Sequence, residues 1–301
     1  MIIALTPNSC IDRVLHLDRK VTPNNLHRVN HSVEYAGGKG VNLARVVRAL
    51  GGEVLLAGFL GGFNGLKFRH LMQQEGLEGV FLELPGETRE CQILLDGSDH
   101  PTEINEKGLT VNHQDWQTLM EKLPEGKLAI CGSLPPGDTL GHFQDLLQRL
   151  PAKPVVDTSG PALTSAISQG VLLCKPNEHE LAGIVGSKLN SMEEAFEAAS
   201  QLYQTHRTPI LLTLGAQGAA LVNEKVHHVR SPSIMVKNPI GAGDSLLGAY
   251  LWATDQGYAP EEALRWGVAA GAECARKGGP AFVTREGVTE LYQQTRSLQP
   301  S

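Results

Sequence analysis

The 301-residue chain has no apolar run approaching the roughly 18 residues that a membrane span needs. Its opening residues, MIIALTPNSCIDR, lack the basic n-region and long apolar stretch of a secretory signal, so a cytoplasmic protein with no membrane partner is expected. Positive charge is also in short supply. With 26 Lys and Arg against 32 Asp and Glu, the net charge is −6, and no general attraction to nucleic acid is expected. A phosphorylated small molecule would need a local basic site. Cysteine is sparse and scattered: Cys10, Cys91, Cys131, Cys174 and Cys274 are odd in number and include no C-x-x-C pair. Buried reduced thiols are expected, with neither a metal site nor a disulfide. The chain lacks low-complexity tracts, fixed-period repeats and the G-x-G-x-x-G dinucleotide signature.

What is present is the composition of a soluble globular protein, 41% hydrophobic and 19% charged, long enough to bury a large core. Short β-rich runs (MIIALT, EVLLAGFL, KLAICGSL, KPVVDTS, GVLLCKPN, PILLTLG, AALVN) are interleaved with helical patterns such as VNLARVVRAL, LGHFQDLLQRL and EEAFEAASQLYQTH. Apolar runs bounded by Gly or Pro and separated by helices predict a doubly wound, mostly parallel sheet flanked by helices, an α/β fold. Residues 1–301 are read as one domain. Two stretches, about 13–35 and 87–105, break the rhythm and contain no helical pattern; the second reads as strands around a turn at Gly97, Ser98 and Asp99. They are expected to meet in space as a small β-structured lid.

Glycine is concentrated at two helix starts. In NPIGAGDSLLGAY, Gly241, Ala242 and Gly243 precede Asp244. Asp244 either caps a helix or stands beside an anion site of bare backbone N–H groups as a base. In AGGKGVNLARVVRAL, Gly37, Gly38 and Gly40 permit close backbone approach to a ligand, Lys39 supplies a cation and Asn42 an amide. The second stretch is not a P-loop, because Gly40 stands where Ser or Thr must follow the lysine. Its apolar residues predict a helix with one buried face. KPNEHEL, holding Lys175, Asn177 and Glu180, follows an apolar strand, where Asn177 can cap a helix or touch a ligand's water shell.

In that order and spacing, GGKGVNLA, KPNEHEL and NPIGAGDSLLG resemble the sequence patterns of the PfkB, ribokinase-like, carbohydrate kinases. The resemblance covers essentially the whole chain. GGFNG, ETRE, TEIN, GSLPPG and VVDTSG are similar to the branch acting on ketohexose monophosphates, the 1-phosphofructokinases and tagatose-6-phosphate kinases. The resemblance implies ATP as co-substrate, Asp244 as base, and Gly241, Ala242 and Gly243 as holders of the transferring phosphoryl charge. It implies Mg²⁺ organised through water by Asn177 and Glu180. It places Lys175, Asn177, Thr213, Gly215 and Gly218 by the nucleotide, and the small residues Val268 to Ala272 by the adenine. Asp12, Gly38, Lys39, Asn42, Arg89 and Ser133 fall on the acceptor sugar, with Arg89 as the phosphate reader. Asp157, ending a strand, is read as possible structure rather than site.

Two motifs depart from the pattern. TPNSCID differs at Ser9 and Cys10, and ETREC lacks the Ile-Asn that often follows Thr-Arg in 1-phosphofructokinases. The expected reaction is ATP-dependent phosphorylation of fructose 1-phosphate to the 1,6-bisphosphate, with tagatose 6-phosphate as the alternative acceptor. A non-catalytic sugar-phosphate sensor on the same fold is the alternative of a different class. An exposed lid edge would invite a homodimer.

Overall fold

In the computed structural model, alternation of apolar residues along the strands sends side chains into two separate cores. The structure describes residues 1–98, 101–137, 139–277, 279–295 and 297–298, the last two in backbone only. The chain runs β1 (Ile2–Thr6), β2 (Cys10–Leu17), β3 (Val29–Gly37), α1 (Lys39–Ala49), β4 (Val54–Leu60), α2 (Gly62–Gln74), β5 (Gly79–Glu83), β6 (Arg89–Leu95) and β7 (Thr102–Asn105). Next come α3 (His113–Lys122), β8 (Lys127–Cys131), α4 (Thr139–Arg149), β9 (Val155–Asp157), α5 (Gly160–Ser168), β10 (Leu173–Cys174), α6 (Glu178–Val185) and α7 (Met192–His206). It closes with β11 (Ile210–Thr213), β12 (Ala219–Val222), β13 (Val226–Val229), α8 (Ala242–Asp255), α9 (Pro260–Lys277), α10 (Arg285–Tyr292) and β14 (Ser297–Leu298).

The main sheet has the order β14-β13-β12-β11-β10-β9-β8-β1-β4-β5. It is parallel from β11 to β5 and antiparallel beyond β11. On β1, Ile2 and Ala4 enter the core under α1, α2, α8, α9 and α10, while Ile3 and Leu5 enter the one under α3 to α7. Strands β4, β8, β9, β11 and β12 divide their side chains in the same way, which is why they are apolar on both faces. Burial of α1 exceeds the expected single face. Asn42 and Arg45 are buried along with the apolar residues, because α8 covers the side away from the sheet, and Gly248 lets its backbone approach that of Leu43.

The two rhythm-breaking stretches do meet, as a second sheet of order β3-β2-β6-β7. It is wider than expected: β2 starts at Cys10 and β3 runs on to Gly37, directly before α1. β2 pairs β6 in parallel although residues 18–88 lie between them in the chain, setting Cys10 opposite Arg89 and Asp12 opposite Cys91. Of the turn expected at residues 97–99, Asp99 lies outside the described residues. The parallel strands β1, β8, β9, β10 and β11 end toward Asn8, Ser133, Asp157, Lys175 and Thr213, and α1 and α8 begin beside the same edge. Carboxyl ends of parallel strands are where open α/β sheets take ligands.

Candidate active site

Asp157, at the end of β9, is only 1% exposed. Its Oδ1 accepts a hydrogen bond from Lys39 Nζ at 2.8 Å, and its Oδ2 faces Lys175 Nζ at 3.1 Å. Burial raises the Asp157 pKa, but Lys175 and then Lys39 outweigh it, so the carboxyl is held below its ordinary range. Burial likewise works against the Lys39 ammonium, and the fields of Asp157 and Asp244 more than compensate, raising its pKa. The sequence reading of Asp157 as structure is thus half of its role: it is the counter-ion that holds both site lysines.

Asp244 does not cap α8. The N-cap is Gly241, in the left-handed region with φ 78°, and Asp244 sits within the first turn. Its Oδ2 instead accepts a hydrogen bond from Asn42 Nδ2 at 2.8 Å. The amide is held in that orientation because Asn42 Oδ1 accepts from Arg45 Nη1 at 2.8 Å, and Arg45 is itself fixed by Glu75 and by the Ala36 carbonyl. Burial raises the Asp244 pKa; Lys39, Lys175 and the Asn42 hydrogen bond pull against it, and the net shift is upward. A partly desolvated carboxylate with one fixed oxygen is suited to accepting a proton at the other.

Neither α1, which starts behind Gly38, nor α8 carries a side-chain cap. In contrast, Glu87 accepts from the first-turn N–H groups of α2 at Phe63 and Asn64, and Asn177 caps α6. The two glycine motifs therefore leave helix N-termini open where α2, α3, α6, α7 and α10 fill theirs. At α8 the Ala242 N–H donates to the Pro239 carbonyl at 3.1 Å, which takes Ala242 out of the expected anion-binding trio; Gly241 and Gly243 have no such acceptor among the described residues. A Cβ on Gly243 would lie 3.5 Å from Lys175 Nζ, so the loop and that cation are adjacent.

The glycines of AGGKG serve the chain itself more than a ligand. A Cβ on Gly37 would strike the Asp12 carboxyl, one on Gly38 would lie 2.6 Å from Thr6 Cγ2, and one on Gly40 would strike Thr6 Oγ1. Gly218 is similar, with φ 91° and the Val229 carbonyl where its side chain would be, so β13 requires that glycine. Gly215 has open space on that side. The small residues 268–272 pack α9 onto α8: a Cβ on Gly271 would lie 3.1 Å from the Ala242 carbonyl. Helix packing accounts for that segment without an adenine.

Asp12 is 9% exposed beneath Gly37, and burial raises its pKa against the pull of the Cys10 thiol, Arg45 and Arg89. Arg89 donates from Nε and Nη2 to the Asn8 carbonyl and from Nη1 to that of Glu106. Carbonyls position the guanidinium without cancelling its charge, and no carboxylate pairs with it among the described residues. Asn8, which sequence reasoning left outside the site, donates to the Lys107 carbonyl at 3.0 Å and to Ser133 Oγ at 3.4 Å, tying the small sheet to the end of β8. Asn177 and Glu180 form a reciprocal capping box, with bonds of 2.8 and 2.9 Å. Thr213 joins them through its N–H and hydroxyl, both directed at the Pro176 carbonyl. A cavity of about 440 Å³ between α3 and α4 contains none of these residues.

Residues 3–286 match the pfkB family carbohydrate kinase model. The chain is 32% identical to 1-phosphofructokinase of Bacillus subtilis over 98% of this chain and 97% of that one. It is 29% identical to tagatose-6-phosphate kinase of Staphylococcus epidermidis, over 99% and 100%. Phosphofructokinase-2 from Escherichia coli, solved in complex with substrates and products, superposes with a TM-score of 0.90 at 27% identity, covering 97% of this chain and 98% of that one.

Replacing Asp157 with Asn leaves the buried Lys175 without its counter-ion, and breaking a buried pair in this way costs about 3–5 kcal/mol. Because the folded-state pKa is depressed, the carboxylate's contribution is present above the unfolded value of about 3.9 and lost as pH falls through the folded value. Urea unfolding should show the Asp157→Asn deficit at pH 7 and its shrinkage below about pH 4. Equal midpoints at pH 7 would remove Asp157 as the anchor.

Proposed function

The chain belongs to the pfkB family of carbohydrate kinases, and from that premise we propose that it transfers the γ-phosphoryl group of ATP to a ketohexose monophosphate, fructose 1-phosphate first. The observation that carries the reading is Asp244, desolvated and held by Asn42 beside an uncapped helix N-terminus. Binding alone requires no such base, which weighs against a non-catalytic sensor. Tagatose 6-phosphate is the second acceptor, favoured by the 29% identity to a tagatose-6-phosphate kinase.

In this reading Asp12 accepts hydrogen bonds from sugar hydroxyls, while Arg89, with Ser133 nearby, reads the phosphate already on the sugar. The free carboxylate oxygen of Asp244 takes the proton of the acceptor hydroxyl as its oxygen bonds to the γ-phosphorus and the bond to the ADP oxygen breaks. The N–H groups of Gly241 and Gly243, the dipole of α8 and the Lys175 ammonium hold the charge on the transferring group. Lys39, carried at the start of α1, faces the same charge. Phosphoryl transfer is chiefly positioning and electrostatics, so this arrangement supplies what the reaction asks of the protein.

The oxygen donors present fit Mg²⁺. One Glu180 oxygen is bonded to the Asn177 N–H, the other has no ion-pair partner among the described residues, and the carboxylate lies within the field of Lys39. Glu180 and Asn177 would hold the ion through water, in keeping with its preference for retaining several waters. When bound it supplies charge neutralisation on the donor phosphates. Thr213 and the open side of Gly215 would line the nucleotide. The small sheet serves as a lid that excludes water from the transferring group. Its two edge strands, β3 and β7, expose Val29 and Ile104, which suits pairing with a second copy of the chain. Sedimentation that finds only monomers at micromolar concentration would exclude that dimer.

ADP release measured with fructose 1-phosphate, tagatose 6-phosphate, fructose 6-phosphate and free fructose should give the highest kcat/KM for one of the first two. No turnover with any of them returns the protein to the sensor reading. Hydrogen bonds to charged groups contribute about 1.5–3 kcal/mol, so Arg89→Ala should lower kcat/KM for the phosphosugar by roughly one to two orders of magnitude. Activity on free fructose should hardly change; proportional loss on both would make Arg89 a lid residue only.

Asp244→Asn should keep sugar and ATP binding and lose about 10²–10⁴-fold in kcat. Since the ionised form is the base and burial raises its pKa, kcat/KM should fall with falling pH along a limb above the ordinary carboxylate value of about 3.9. Asn42→Ala removes a donor to the ionised form and should move that limb to still higher pH. A limb that stays in place assigns the titration to another group.

A further inference from the structure

The cysteines, dispersed in sequence, are all buried and free of disulfides, as expected. They are not all apart in space. Cys10 and Asp12 on β2 and Cys91 on β6 bring their sulfurs and a carboxylate oxygen within 4.8 Å of one another. The cause is the register: β2 and β6 run parallel with Cys10 opposite Arg89 and Asp12 opposite Cys91, so these four residues share one face of the small sheet. The Cys10 thiol lies 3.2 Å from Asp12 Oδ1 and within hydrogen-bond reach of Cys91. The expectation of no metal site at the cysteines rested on sequence spacing, and the strand pairing brings together donors that this spacing keeps apart.

We propose that Cys10, Cys91 and Asp12 form a binding site for a thiophilic divalent cation of the Zn²⁺ or Cd²⁺ type, and that its occupancy withdraws Asp12 from the acceptor sugar. Two sulfurs and one carboxylate oxygen are the donors such ions select, whereas Mg²⁺ prefers oxygen alone. Metal–sulfur bonds of about 2.3 Å and metal–oxygen bonds of about 2.0–2.2 Å place tetrahedral ligands some 3.3–3.8 Å apart, so the three donors need only a side-chain adjustment. The ion replaces two thiol protons, which pass to solvent, and leaves a fourth position for water. Two thiolates, a carboxylate and a dication carry one net negative charge. Arg89 and Arg45, both acting on Asp12, face that charge. Withdrawal from the sugar rests on the proposed role of Asp12; binding of the ion does not.

Reduced full-length protein titrated with Cd²⁺ should take up one ion per chain with a thiolate-to-metal charge-transfer band in the ultraviolet. Cys10→Ala and Cys91→Ala should each weaken that uptake tenfold or more, while Cys174→Ala leaves it unchanged. If an alanine variant misfolds, Cys10→Ser and Cys91→Ser, nearer in size, replace it. With Mg²⁺ in excess, Zn²⁺ should raise KM for the phosphosugar at least tenfold without lowering kcat, and Cys91→Ala should abolish that inhibition while keeping the parent's activity. Absence of the band, or equal Cd²⁺ affinity in both variants, overturns the site. A normal band with KM unmoved overturns its effect on the sugar and leaves kinase activity itself untouched.

Discussion

A carboxylate shut away from solvent sits between two ammonium groups, and the site depends on that arrangement. Asp157 could not remain ionised at 1% exposure without Lys39 and Lys175, and Lys175, itself buried, could not be there without Asp157. The triad links the end of β9 to the segment after β10 and to the first residue of α1. Lys175 also lies beside Gly243 at the start of α8. One charge balance thus fixes the relative positions of two strand ends and two helix N-termini. In a chain with a net charge of −6, it also gathers cations in the one place where an anionic donor would come.

Helix termini divide according to what they face. α2 fills its N-terminus with the Glu87 carboxylate and α6 with the Asn177 and Glu180 pair. α1 and α8 begin at glycine with no side-chain cap. Omitting a cap forgoes about 1 kcal/mol of helix stability and preserves the dipole and N–H groups for a ligand. The relay from Glu75 through Arg45 and Asn42 to Asp244 applies the same logic to a side chain. Arg45 occupies the amide oxygen, so the amide nitrogen must face the carboxylate.

The small sheet contributes by a different route. Its β2 and β6 come from distant parts of the chain, and their pairing places Asp12, Arg89 and two thiols on one surface. Cys10 and Cys91 fall within the two motifs that depart from the family's usual residues, so two separate departures prove to be neighbours. Parallel pairing of non-local strands is specified by packing across the whole fold, and nothing local to either strand announces it.

The alternation of apolar runs and helices, the two glycine motifs and the order GGKG, KPNEHEL, GAGD were legible in the sequence, because backbone period and helix starts depend on residues close in the chain. So was the candidacy of Asp244, Lys39 and Lys175, since each is a charged residue at the end of a predicted element, whereas Arg89 stood out only through the family resemblance. Their partners were not. That Asp157 balances Lys39, that Asn42 meets Asp244, and that Cys10 meets Cys91 are contacts between segments separated by 118, 202 and 81 positions, settled by which side of an element faces inward. The glycines carry the same lesson: sequence shows that Gly37, Gly40 and Gly218 lack side chains, but only the fold shows what fills the space, namely Asp12, Thr6 and the Val229 carbonyl. Residue type and spacing determine which groups are available for the chemistry; close packing, which leaves no room for a second arrangement, decides which of them meet.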